Sequence, residues 1–165
     1  MSLIEYTDDA EPVSLAEVKA QSRVTHYAED DLIELVIIPA ARALAEQKTG
    51  CAIREARYAE TVPDTSRLPL SMGGVLEVES VKLGSEDVAY DTLLEARRTY
   101  VSAPAGAVVT YKAGTNIANH PGVKSWILLV CAWMYANREL IGDSKMEPPY
   151  FTQTLLSSIA VPSGF

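Results

Sequence analysis

The chain has 165 residues, 48% of them hydrophobic, and carries 22 acidic against 14 basic side chains, a formal net charge of −8. That length and apolar content exclude a disordered chain. They suit one folded domain, or one domain with an inserted subdomain, whose core needs neither metal nor disulfide. The acidic balance argues against nucleic-acid binding, which requires clustered Lys and Arg to displace counterions from phosphates.

The charge is uneven: residues 1–50 hold ten acids and four bases, 51–113 nine and seven, and 114–165 three of each. The acidic surface therefore belongs mainly to the N-terminal part. Cys51 and Cys131 stand far apart in no ligand-like spacing and read as buried free thiols of a reducing compartment. The opening MSLIEYTDDAEP lacks the basic and apolar regions of a signal peptide, and the longest apolar run, Trp126 to Ala136, is too short to cross a bilayer. A soluble, intracellularly made protein is expected.

The first predicted helix opens at Ser14, where Ser14 and Glu17 form the S-x-x-E capping box, and ends near Ser22 or Arg23. A second runs from about Ala28 to Thr49. Glu29, Asp30 and Asp31 complement its dipole, and Ile33, Val36, Ile37, Ala40 and Leu44 form one apolar face. Gly50 is a natural left-handed stop. Pro39 removes one backbone hydrogen bond and crowds the carbonyl of Leu35, which predicts a kink.

From Cys51 to Ala113 the pattern turns to strands, placed at Ile53–Val62, Val75–Leu83, Val88–Tyr90, Thr99–Val101 and Ala107–Lys112. Pro63-Asp64, Gly73-Gly74, Gly84-Ser85 and Pro104-Ala105-Gly106 supply turns. Val75, Glu77, Glu79 and Val81 alternate poorly with their neighbours, which leaves the register open. After a loop, Pro121 suits the entrance of a strongly apolar helix, Lys124 to Leu140, with Asn119 or His120 as cap and Trp126, Ile127, Val130, Trp133 and Met134 on its core side. Pro148-Pro149 breaks the chain before a last short helix, Tyr150 to Ser158.

The expected fold is thus α+β and mainly helical: N-terminal and C-terminal helices (14–50 and 119–158) packed together in a single domain, 1–165. A small antiparallel β section is inserted at about 51–113.

Chemistry-bearing motifs are scarce. His26 falls between helices and His120 at a helix entrance, in no zinc-binding spacing. Glu29, Asp30, Asp31 and Glu34 read as dipole complement instead of metal ligands, because adjacent helical acids point roughly 100° apart. Gly73-Gly74 lacks a phosphate-loop context, and Ser71, Ser80, Ser125 and Ser157 lie in no nucleophile elbow. Arg97-Arg98, beside Glu95, reads as a surface or subunit contact. No catalytic residue, metal or cofactor is expected.

Several segments resemble one known family. EPVSLAEVKAQSRV, followed by EDDLIELVIIPAARALAEQKTG, resembles the opening of head-tail connector proteins of long-tailed bacteriophages. There a "P-[VT]-[ST]-L-x-E-x-K" helix precedes an acidic-start helix ending in T-G. VVTYKAG and NHPGVKSWILLVCAWMYANREL resemble the family's "Y-x-A-G" strand, "P-x-x-[LV]-K" entrance and "N-R-E" helix end. The matching positions are Pro12, Leu15, Glu17, Lys19, Asp30, Asp31, Thr49, Gly50, Tyr111, Gly114, Pro121, Lys124, Trp133, Asn137, Arg138 and Glu139. Residues 54–105 do not align. Ser22, where an apolar residue is usual, and Pro39 depart from the pattern.

The resemblance implies a non-enzymatic virion protein of the neck, made in the bacterial host's cytoplasm. Its subunits form a ring of about a dozen copies beneath the portal protein, receive a tail-completion or stopper protein, and let DNA pass through the lumen without specific binding. Arg138, Glu139, Trp133, Trp126, Arg97 and Arg98 are the expected interface or structural residues, with Arg138 holding an adjoining loop. The competing readings are another phage neck or tail-completion protein and, further off, a small-molecule-binding α+β domain or enzyme.

Overall fold

The computed structural model describes residues 1–7, 10–64, 67–137 and 154–161. The chain separates into two compact units: a β unit (Met1–Ala10, Gly50–Thr115, Ala160–Phe165) and a helical unit (Glu11–Thr49, Asn116–Ile159).

In the helical unit, α1 (Leu15–Ser22) has the expected capping box: Ser14 Oγ accepts from the Glu17 N–H, and the Ser14 N–H donates to the Glu17 carboxylate at 3.0 Å. It stops at Arg23, which takes the left-handed conformation at φ 56°. The second helix is interrupted. A short α2 (Asp30–Leu32) passes through a π turn, Ile33–Ile37, into α3 (Ile38–Thr49). The expected irregularity at Pro39 thus takes the form of a widened turn in which the Ile38 N–H reaches back to the Ile33 carbonyl.

The extra residue in that turn advances the buried face by one position. Ile33, Ile37, Ile38, Ala41 and Ala45 are buried, whereas Val36 and Ala40 of the expected stripe are exposed and Leu44 is half-buried. α4 (Pro121–Ala136) carries Pro121 in its first turn and buries Val123, Trp126, Ile127, Val130 and Cys131. It packs on α1, α3 and the π turn. His120, one of the two expected caps, stands at the N-cap position of α4 without a side-chain capping bond, and Asn116 caps the preceding 3-10 turn, Ile117–Asn119, by accepting from the Ala118 N–H at 3.0 Å. Of the expected last helix, residues 154–156 form a 3-10 turn with Leu156 buried and residues 157–158 continue as a turn; residues 150–153, like Pro148-Pro149 and Leu140, lie outside the described residues.

The β unit overturns the expectation of a mainly helical fold with a small β section. The described residues are about 35% helix and 30% strand, with eight strands among them in two antiparallel sheets. The strands are β1 (Ser2–Tyr6), β2 (Ala56–Thr61), β3 (Arg67–Pro69), β4 (Val75–Leu83), β5 (Glu86–Asp87), β6 (Asp91–Glu95), β7 (Arg98–Ser102) and β8 (Val108–Ala113). One sheet has the order β1-β2-β8-β4-β5, the other β3-β7-β6. β1 and β6 have every residue exposed, so neither shows the apolar/polar alternation by which a half-buried strand is recognised. The strand expected at Val88–Tyr90 is absent; the partner of β4 across Gly84-Ser85 is β5.

The broken alternation in β4 has a cause. Its pairing with β8 shifts register between Val75 and Glu77 and again between Val78 and Ser80. In β2 and β8 the alternation is regular. Ala56, Tyr58 and Glu60 of β2 face the core beside Val109, Tyr111 and Ala113 of β8, while Arg57 and Lys112 point outward. Tyr58 and Tyr111 stack at 5.5 Å between ring centroids. Across the outward face, Glu5, Arg57, Lys112 and Glu77 stand in register on four successive strands.

Candidate assembly surfaces

The charged groups are largely paired among themselves. Arg57 holds Glu5 on one side and, by two bonds of 2.6 and 3.0 Å, Glu79 on the other. This guanidinium keeps the Glu79 carboxyl below the usual carboxylate range. In the helical unit Lys124 bonds Glu17 at 2.5 Å and, with the capping bond from Ser14, lowers its pKa. Of the acidic run, Asp30 bonds Lys19 at 2.5 Å and Glu29 accepts from the Tyr135 hydroxyl. His26 lies 3.7 Å from Glu29, and His120 Nδ1 lies 3.2 Å from Ser158 Oγ. Among the described residues no group of three or more His, Cys, Asp or Glu could hold a metal ion, and no helix is long and apolar enough to cross a membrane.

Two buried polar clusters escaped the sequence reading. Arg42 is only 5% exposed and bonds Glu11 and Glu46, each at 2.8 Å. It points inward because the π turn rotated its face. Glu60 is 6% exposed. Its carboxylate accepts from the Ser71 N–H at 2.9 Å, from Ser71 Oγ at 2.7 Å and from the Tyr111 hydroxyl. Its place on the inward side of Ala56-Tyr58-Glu60 was the available signal.

The expected contact residues separate in location. Trp126 is fully buried in the helical core, with its indole N–H unpartnered; Trp133 is half-buried, and its carbonyl accepts from the Asn137 side chain at 2.8 Å. Ser22, the polar departure in the first helix, likewise buries an unpartnered Oγ. Arg97 occupies the two-residue β6–β7 turn at φ 67°, after Ala96 at φ 49°, a type I′ geometry, and donates to the Ala160 carbonyl at 3.5 Å. Arg98, half-buried, opens β7 with its Nε buried and unpartnered. Arg138 and Glu139 lie outside the described residues.

The surface also carries exposed large apolar residues. Tyr27, Leu35 and Val36 are exposed on the helical unit; Leu3, Ile4, Leu76, Leu93 and Leu94 are exposed on the β unit. Exposed apolar patches and open strand edges are features that favour contact with another chain.

This arrangement has a counterpart among solved structures. The fold is that of a gene transfer agent particle chain. It matches a chain from the virion of the native gene transfer agent (GTA) particle at TM-score 0.67 and 21% identity. It matches one from the neck of the empty GTA particle, computed with C6 symmetry, at TM-score 0.68 and 20% identity. Each likeness covers 100% of this chain and 98% of the other. No protein-family model matches the sequence, and no curated protein does.

The buried cysteine of α4 gives a direct check on this packing. Desolvation first, and the Glu11 charge second, push the Cys131 thiol up to about 12. At pH 8 its thiolate fraction should be roughly a thousandfold below that of an ordinary thiol. Iodoacetamide should therefore label Cys131 slowly in the native chain and rapidly in urea, as read by peptide mass spectrometry. Fast native labelling would contradict the packing.

Proposed function

We propose that this chain is a head-tail connector subunit of a phage-like particle, a structural adaptor and not an enzyme. In this reading copies of it form a ring beneath the portal, present a surface to the tail-completion or stopper protein, and surround the passing DNA without binding it specifically. One observation carries the reading: an end-to-end likeness to chains of the GTA virion and neck, in a chain whose opening, last strand and long C-terminal helix also follow the connector motif order. The paired charges and exposed aliphatics support it, since they furnish contact surface and no reactive cluster. The net charge of −8 suits a channel wall from which phosphates are repelled. Arg97, Arg98, Trp133, Arg138 and Glu139 belong to the contact or corner regions in this reading, and Trp126 to the supporting core.

Native mass spectrometry of the purified chain, alone and mixed with the portal protein of its own particle, tests this. The expected result is a cyclic oligomer that docks on the portal. Docking on a tail component with no affinity for portal would favour the other neck or tail-completion reading.

A further inference from the structure

A ring of identical subunits needs two different faces on each copy, because a head-to-tail contact joins one patch to another. The β unit has four border strands, β1 and β5 in the five-stranded sheet and β3 and β6 in the three-stranded sheet, of which β1 and β6 are the longest. Each of these two is five residues long, has every residue in the exposed class and, among the described residues, pairs with a neighbour on one side only. Each also carries two adjacent aliphatic residues: Leu3 and Ile4 on β1, Leu93 and Leu94 on β6. Leu93 is 55% exposed and Leu94 72%. Soluble proteins blunt such edges with charged residues, Pro or bulges, and in β6 (DTLLE) the charges stand only at the two ends, leaving Thr92, Leu93 and Leu94 between them unguarded. We infer that β6 of one copy pairs with β1 of the next, and that this strand addition is one subunit contact of the ring proposed above, on which it rests.

Charge and backbone chemistry select β1 among the edges available. Antiparallel pairing of β6 with a second β6 about Leu93 sets Asp91 opposite Glu95 at both ends, and like charges directly opposite are unfavourable. β5 consists of Glu86 and Asp87, which repel the same acids. β3 is three residues long and includes Pro69, which has no N–H to donate. β1 has a single acid, Glu5, already held by Arg57. Set antiparallel with Leu3 opposite Leu94, it places Ile4 opposite Leu93, Glu5 opposite Thr92 and Tyr6 opposite Asp91, with no acid facing another. The β1–β2 pairing is irregular between Leu3 and Glu5, so a shift of one residue from this register is accommodated in the test.

The test uses the full chain carrying L3C and L94C together, and each alone, treated with a short bis-maleimide under conditions of ring formation (with portal, if the chain alone is monomeric). Cys51 and Cys131 are buried and serve as the unreactive background. The double variant should give a ladder of covalent dimers, trimers and higher species; either single variant should not extend beyond the dimer. The L93K/L94K variant, with thermal unfolding unchanged, should weaken self-association about tenfold, from loss of two apolar cross-strand pairs. A ring seen by native mass spectrometry with no ladder, and with L93K/L94K assembling normally, overturns the edge pairing and leaves the connector reading intact. Absence of any ring, with or without portal, overturns both.

Discussion

Replacing Arg42 by alanine is expected to destabilise the helical unit by about 3–5 kcal/mol, because it strands two carboxylates where water reaches them poorly. The guanidinium is buried, and its partners Glu11 and Glu46 have side chains 19% and 13% exposed. With the cation gone, each acid keeps most of its desolvation cost and the two repel one another. The measurement is selective, since both tryptophans of the chain, Trp126 and Trp133, sit on α4. Indole fluorescence during urea unfolding thus reports the helical unit apart from the β unit. The R42M/E11L/E46L triple variant should recover most of the loss, as apolar replacements of buried ion clusters do. A loss below about 1 kcal/mol for Arg42→Ala would mean the site is solvated.

Arg42 also shows why part of the helical unit was hidden from the sequence. A stripe counted at 3.6 residues per turn from Ile33 runs through Ile37, Ala40 and Leu44. The chain instead buries Ile37, Ile38, Ala41 and Ala45, with Arg42 beside them. Pro39 announces that the backbone must depart from regularity there, yet a kink and a π turn accommodate the missing donor equally well. Only the π turn inserts a residue into the register. The capping box at Ser14, the stop at Gly50 and Pro121 in the first turn of α4 were legible because each rests on backbone groups next to it in sequence.

The β unit was legible where burial writes a pattern and illegible where it does not. β4 carries its expected bounds, and β2, β7 and β8 overlap theirs, since each has at least one side facing the core. β1, β3, β5 and β6 were missed. They are edge strands held by backbone pairing, and backbone hydrogen bonds leave no mark on side-chain choice. Counting only the strands that alternate made the fold look mainly helical. The same omission left Leu3, Ile4, Leu93 and Leu94 unplaced, and strand pairing puts them on sheet edges.

Removing the buried carboxyl of Glu60 should cost the β unit about 2–4 kcal/mol, because Glu60→Ala leaves the Tyr111 hydroxyl and the Ser71 N–H without their acceptor. Glu60→Gln retains an acceptor oxygen and a side chain of the same size, so its cost should be the smaller. Tyr111→Phe deletes one charge-assisted hydrogen bond while Ser71 still holds Glu60 at two points, so a loss of about 1.5–3 kcal/mol is expected. Far-UV circular dichroism during urea unfolding, taken with the indole signal, separates these losses from effects on the helical unit. The same cluster sets an alkaline limit. Desolvation first, and the bond to Glu60 second, raise the pKa of Tyr111 well above the ordinary tyrosine value of 10.0. In the unfolded chain this phenol ionises near pH 10. The folded state therefore holds a proton that the unfolded state has lost. The stabilisation is complete below about pH 10 and declines as pH rises through the interval up to the folded value. Between pH 10 and 11.5 the wild-type unfolding midpoint should fall more steeply than that of Tyr111→Phe, which has no phenol at this position to titrate. Parallel slopes for the two chains would show that Tyr111 ionises normally and that the Glu60 cluster is open to water.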